Sequence, residues 1–486
     1  MAVTERRGGS GGLRAATHQR LAESPRYPQI VLVSVLFGLL SVNITFTIFN
    51  VALVSIAKNL HTTQNTLTWA ITGPLLIVGV AAPTCGKIGD LRGHRRLYLF
   101  GLSGAFLAAA LTAASWSVGT LIAARLLTGV EGACTTVASW SLLFRVFPPR
   151  DRTKVLGWWS LIGAGGPVIG VALGAPLIQA FGWRWIFVIQ APIILVALVV
   201  NWFLLNETEP QPGQRFDIAG ALLLAVGVGA MLFGLNKGPV WGWGSQGVLL
   251  SFAVCPIALT VFVLVERRAA DPLFRIEWLG RRNFTFACVA NLLLNFAYMG
   301  GFFLTPLMLE RAFGYGEAKA GLLQIARPLA FSIAAPIAGY LAVRTGERAA
   351  AVSGTAVVAL SMFVFATLGP SAAVILVIVA LALSGLGNGI AAPSISASVA
   401  NSVEIEHMGS ASAALQLASQ VGVVAGIQIM ETVQVAREGS VGVLASFHEA
   451  YVVAGLVAVL GVVAAAFIRR SVRQSAPAFM AEAIIG

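Results

Sequence analysis

Fourteen long apolar runs separated by short polar turns decide what this chain can become. They cover residues 29–57, 66–86, 97–115, 118–144, 155–180, 185–205, 217–236, 246–265, 284–309, 320–343, 350–368, 372–400, 408–432 and 447–468. Crossing roughly 30 Å of hydrocarbon takes about 20 mostly apolar residues in a helix. Lipid offers backbone N–H and C=O groups no partner, so each run is expected to be helical. Only 11% of the 486 residues are charged, against about 25% in a soluble domain. The expected fold class is therefore an all-α polytopic membrane protein with fourteen transmembrane helices, surrounded by lipid.

Lys and Arg orient the runs. With both termini cytoplasmic, 24 of the 32 basic residues fall in cytoplasmic segments and six in outside loops. The remaining two, Arg125 and Arg327, lie within spans. An odd number of spans spoils this bias, so both ends are placed inside. The same bias explains the net charge of +12 without nucleic acid. Arg outnumbers Lys, and Ala, Gly and Val are abundant, which points to a high-GC bacterium and its plasma membrane. The four cysteines have no metal-type spacing and read as packing residues; no metal or cofactor is expected.

The runs divide as six, two and six. The expected segments are a disordered cytoplasmic tail at 1–28, a six-helix bundle at 29–205, and a linker at 206–216. An inserted pair at 217–265 and a linker at 266–283 follow, then a second bundle at 284–468 and a tail at 469–486. A charged glycine-rich turn, Gly86-Lys87-Ile88-Gly89-Asp90-Leu91-Arg92-Gly93-His94-Arg95-Arg96, lies after the second run. A weaker copy occupies 339–348 in the second bundle. Two copies of one turn in two halves suggest parallel repeats around a central cavity.

These residues resemble the major facilitator superfamily, and more narrowly its fourteen-helix drug:proton antiporters. Gly86, Asp90, Gly93 and Arg95 fit that family's turn pattern, G-x-L-a-D-r-x-G-r-k, with Leu91 where a basic residue is usual. The glycines suit close helix contact, and Asp90 can accept hydrogen bonds from a neighbouring helix N-terminus. The resemblance makes this turn a cytoplasmic gate. In the second copy Val343 replaces the acid, and that copy reads as a packing turn alone. Gly166, Pro167 and Gly170 fit the antiporter motif of the fifth helix, with Ile162 and Val171 at two usual glycine positions. Gly182-Trp183-Arg184-Trp185-Ile186-Phe187 fits the entry to the sixth helix. In the first span, Thr47 and Asn50 fit the pattern D-x-T-x-x-N-V-A-L-P. Thr45 replaces its acid and Val54 its proline.

Arg125 and Gly129 fit the fourth-helix pattern R-x-x-q-G-x-g, in which Glu131 stands where a glycine is usual. Charged residues in spans are costly and are functional candidates by default. Six residues turn a helix by about 600°, leaving Arg125 and Glu131 about 120° apart. Glu131 instead shares a stripe with Thr128, Thr135 and Ser139. Three roles remain open for it: proton carrier, structural hydrogen bond to another helix, or partner of Arg327 or a bound cation. Arg125 is the second proton-coupling candidate. The cavity and substrate candidates are Thr45, Asn50, Asn291, Asn295, Tyr298, Gln324 and Arg327.

The resemblance implies a monomeric secondary transporter that exchanges protons for hydrophobic or cationic small molecules. The departure at Thr45 and the cation at Arg327 keep a second reading: export of an endogenous lipid, metabolite or anion without proton coupling. A non-transporting scaffold or sensor is disfavoured, because no long loop is present to signal with. The chain has no Walker A motif and no nucleophile motif, so ATP drive and enzyme chemistry are not expected.

Overall fold

The computed structural model describes residues 24, 26–62, 67, 69–208, 216–269 and 271–469. For helix residues 45–48, 50–51, 53–54, 164, 167, 169–176, 179 and 317–318 only the backbone is described. Most of the expected tails and of the 206–216 linker lies outside these residues.

The helices are α1 (Tyr27–Asn59), α2 (Trp69–Arg92), α3 (His94–Ala113), α4 (Val118–Val146), α5 (Arg152–Phe181) and α6 (Arg184–Leu204). Next come α7 (Ile218–Trp241), α8 (Gln246–Glu266), α9 (Arg282–Arg311), α10 (Glu317–Gln324) and α11 (Ala326–Thr345). The last are α12 (Glu347–Phe365), α13 (Val374–Ala400), α14 (Met408–Val441) and α15 (Val443–Ala466). Among the described residues, 13 helical segments are long and apolar enough to span a membrane. The 30-residue α5 is a further helix of spanning length. No strand occurs among the described residues. The protein is an all-α polytopic membrane protein.

Two spans depart from the apolar runs. The tenth is broken: α10 and α11 meet at Ile325, where the missing N–H of Pro328 leaves a carbonyl one turn earlier unbonded. The thirteenth outlasts its run, because α14 continues to Val441. Its 34 residues reach about 51 Å, longer than the hydrocarbon. The added turns carry polar partners: Glu438 pairs with Arg311 at 2.6 Å and Arg437 with Glu449 at 2.6 Å.

The two halves repeat one packing scheme. In the first, α1 packs on α5 and α6, α4 on α2 and α3, and α3 on α6. In the second, α9 packs on α14 and α15, α13 on α11 and α12, and α12 on α15. The halves meet through the corresponding pairs α2 with α14 and α5 with α11. The inserted pair, α7 and α8, lies on this seam, with α7 against both α2 and α14.

Small residues draw the halves together at the end that carries residues 86–96. A Cβ on Gly86 would lie 2.6 Å from the Gly409 carbonyl oxygen, and one on Gly339 would lie 2.7 Å from that of Thr153. These contacts leave no room for any side chain, which is why both turn copies keep this glycine.

Candidate functional site

A cavity of about 420 Å³ lies between the halves, lined by residues of α1–α6 on one side and of α9, α11, α13 and α14 on the other. One face of α4 presents Arg125, Thr128, Gly132, Thr136 and Trp140 at helical spacing, and Glu131 flanks it. Arg125 and Glu131 therefore share the cavity without sharing a face.

The two charges are held differently. Arg125 donates from Nε to the Ala70 carbonyl at 3.2 Å, and its guanidinium lies 4.4 Å from the Phe49 ring centroid. Glu131 is only 5% exposed, yet its Oε2 has no hydrogen-bond partner among the described residues. No ion pair within 4 Å joins Glu131 to either arginine among the described residues. Gly104 of α3 makes room for it: a Cβ there would sit 3.2 Å from that of Glu131.

The polar stripe on α4 splits. Thr128 faces the cavity. Thr135 is buried, bonding back to the Glu131 carbonyl at 2.9 Å. Ser139 accepts from the Trp159 indole at 3.0 Å, which fixes Trp159 edge-on to Trp140, with centroids 5.9 Å apart. These two indoles form an aromatic wall of the cavity.

On the facing half, Asn291, Asn295 and Tyr298 line the cavity. Asn295 donates to the Asn291 carbonyl at 2.8 Å, and Asn291 donates to that of Leu415 at 3.2 Å. Both interhelical bonding and cavity lining thus fall on one stripe of α9.

Two candidates are not where a substrate could reach them. Arg327 is fully buried and does not line the cavity. Its Nη1 donates to the Tyr298 carbonyl at 3.3 Å and its Nη2 to Thr305 at 3.2 Å. Its guanidinium sits among the rings of Tyr298, Phe302 and Phe365. Gln324 donates to the Phe302 carbonyl at 2.5 Å and also lies behind the wall. Both serve to hold the break between α10 and α11 against α9. The Thr45, Asn50 and Pro167 side chains and the surroundings of Gly170 lie outside the described residues, whereas Gly166 packs against Asn43 of α1.

Asn43 and Gln190 are cavity residues that sequence reasoning missed. Gln190 donates to the Ser41 carbonyl at 2.9 Å. Lone amides inside apolar spans were the available signal.

At the end that carries residues 86–96, Asp90 is saturated. Its Oδ1 accepts from the Gly409 N–H at 3.0 Å and lies 3.1 Å from His94 Nε2. Its Oδ2 accepts from the Ser410 N–H at 3.0 Å and the Ser410 hydroxyl at 2.8 Å. An acid of the first half thus caps the N-terminus of α14 in the second. Gly93 adopts φ 101°, where a Cβ would also collide with Glu207. Glu207 in turn accepts from the Arg95 and Arg96 N–H groups, capping α3. Arg95 itself donates to the Trp202 carbonyl at 2.8 Å.

The second turn copy is more than packing, which corrects the expectation from Val343. Glu347, four residues on, accepts from Asn401 Nδ2 at 2.8 Å. Arg152, at the start of α5, donates to Asn401 Oδ1 at 2.9 Å and to the Ala400 carbonyl at 3.0 Å. A base of the first half thus meets the C-terminus of α13, the electrostatic complement of Asp90 on α14.

The sequence pattern of the Major Facilitator Superfamily matches residues 35–427 and 287–483. The chain belongs to that superfamily. It is 28% identical over 415 residues to the tetracenomycin C resistance and export protein of Streptomyces glaucescens, covering 85% of this chain and 77% of that one. It is 30% identical over 397 residues to a methylenomycin A resistance protein of Streptomyces coelicolor, covering 82% and 83%. The multidrug resistance protein Stp of Mycobacterium tuberculosis is 28% identical over 407 residues, covering 83% and 75%. The crystal structure of the human organic anion transporter MFSD10 (TETRAN) shares the fold with a TM-score of 0.69 at 16% identity, covering 91% of this chain and 100% of that one. This chain is accordingly a multi-pass cell-membrane transporter of the superfamily.

Proposed function

We propose that this protein exports amphiphilic small molecules by alternating access, exchanging each for a proton at Glu131. The observation that carries this reading is the buried Glu131 carboxyl, one oxygen of which has no partner among the described residues, in a cavity shared by both halves. That oxygen can be satisfied by a proton or by a donor group of a substrate. The two compete, and competition at one group is what exchange requires. The aromatic wall of Trp140 and Trp159 suits flat apolar surfaces, and the cavity amides suit hydroxyl and carbonyl groups. The resistance and export proteins among its relatives support efflux as the direction.

On this reading the termini are cytoplasmic, the Asp90 end is the cytoplasmic gate, and its closed contacts correspond to an outward-facing state. The test is uptake of ethidium into inverted vesicles under a fixed pH gradient. Glu131→Gln is expected to lower proton-driven uptake about 100-fold, the range seen when a positioned proton-transfer group is removed. Uptake at the wild-type rate by the Gln variant contradicts the reading.

Arg125 favours a second reading. It lines the cavity without a carboxylate within 4 Å among the described residues. An anionic substrate could pair with it, and export would then need no proton. Uptake of an anionic dye that persists after the pH gradient is collapsed selects this reading.

A further inference from the structure

The segment 271–281 joins the inserted pair to the second half and crosses the gate. One end is anchored on the second half. Trp278 is 1% exposed, with its ring 5.7 Å from that of Phe284 and 5.8 Å from that of His407. Arg281 donates to the Ser402 carbonyl and to Glu404, each at 2.6 Å. The other end is tied to the inserted pair, where Glu266, the last residue of α8, accepts from the Leu273 N–H at 3.1 Å. Asp271, just before the first anchor, and Arg275, between the two, share a pocket of about 30 Å³ with Lys87, His407 and Ser410. That volume holds about one water molecule.

Lys87 is the first half's contribution to this pocket. It belongs to the gate turn and is only 4% exposed. The acids acting on its charge are Asp90, Asp271 and Glu266, with Arg275 of the segment opposing them. Two of the three come from the inserted pair and the segment that follows it. A buried ammonium group is tolerated only when acids compensate it. When the halves part at this end, Lys87 must leave Asp271 behind, because Trp278 and Arg281 keep the segment on the second half.

We propose that 271–281 is a strap by which the inserted pair holds the gate closed, with Asp271 facing Lys87 as the contact that parts on opening. It is a third tie across the gate, beside Asp90 on α14 and Arg152 on α13. The role rests on the alternating-access reading above, and its test separates the two. The full chain, with its four cysteines replaced by alanine, carries spin labels at Arg92→Cys and Ile405→Cys. These exposed positions lie on opposite halves at the gate. Pulsed electron spin resonance in liposomes then reads the ratio of long to short distances.

Asp271→Asn is expected to raise that ratio about fivefold, and Lys87→Gln to do the same, in the range of ordinary couplings between sites. If the two residues act as one contact, the double variant raises the ratio about fivefold again rather than about 25-fold. Either variant suffices for the first reading should the other fail to fold. Unchanged ratios in the single variants, or multiplication in the double, overturn the strap. Asp90→Asn is the control. If it lengthens the distance while Asp271→Asn does not, the strap alone fails. If neither lengthens it, alternating access through this gate fails with it.

Discussion

Asp90 and Glu131 are both buried carboxyl groups on adjacent helices of the first half, yet they have opposite surroundings. Asp90 is 1% exposed and meets the Gly409 N–H, the Ser410 N–H and hydroxyl, and His94. Glu131 is 5% exposed and has an oxygen with no partner among the described residues. A saturated acid fixes a geometry, and changing its protonation would break the bonds that hold it. An acid with a vacant oxygen beside a cavity can exchange partners without dismantling the fold. The contrast is the ground on which we propose latching for one and exchange for the other.

That contrast can be broken by stability measurements on the purified protein. Asp90→Ala leaves three buried donors and a helix N-terminus without an acceptor. The expected loss is the largest, about 3 kcal/mol or more, read as a lowered Tm in detergent. An unchanged Tm would mean that Asp90 is dispensable to the closed state. Glu347→Gln retains an acceptor for Asn401 and removes a charge beside Arg152, so about 1 kcal/mol is expected. A loss as large as that of Asp90→Ala would make the two turns equal partners. Glu131→Gln removes no hydrogen bond from Oε2, so stability should stay within about 0.5 kcal/mol of wild type and Tm should barely move. A large destabilisation would recast Glu131 as structural.

Glu404 marks the small end of the series. Its carboxyl lies below the ordinary value, first because Arg281 donates to it and then because of the nearby charges of Arg281 and His407. A carboxyl lowered on folding adds stability above its unfolded value of 4.5, and that stability is lost as pH falls through the folded value. The pair is solvent-exposed, so the effect is about 0–1 kcal/mol. Glu404→Gln should therefore leave Tm nearly unchanged at pH 7 and should flatten any fall of Tm below about pH 4.5. A shift of several degrees at pH 7 would show that this strap anchor is stronger than an exposed pair.

Hydropathy alone carried the helix count, because lipid imposes one solution on each apolar run. It could not show which way a polar residue points. Glu131 was legible as an acid in the middle of a span. Arg327 and Gln324 looked equally available, yet the break before Pro328 turns them behind the wall. Trp140, Trp159, Asn43 and Gln190 were missed as cavity residues because single large or amide side chains carry no periodic signal. Position by position the second turn copy lacks an acid at Val343, and its acid, Glu347, lies four residues away. The length of α14 was underestimated because Gln434, Arg437 and Glu438 end the apolar run while their hydrogen bonds and ion pairs continue the helix.

The exchange at Glu131 is tested most directly by counting protons. Ethidium is added to the purified, full-length transporter in weakly buffered detergent solution, and the pH change is recorded. Wild-type protein is expected to release protons as the dye saturates its site. Glu131→Gln should bind the dye, seen by fluorescence, and release none. Equal proton release from wild type and the Gln variant would contradict the account.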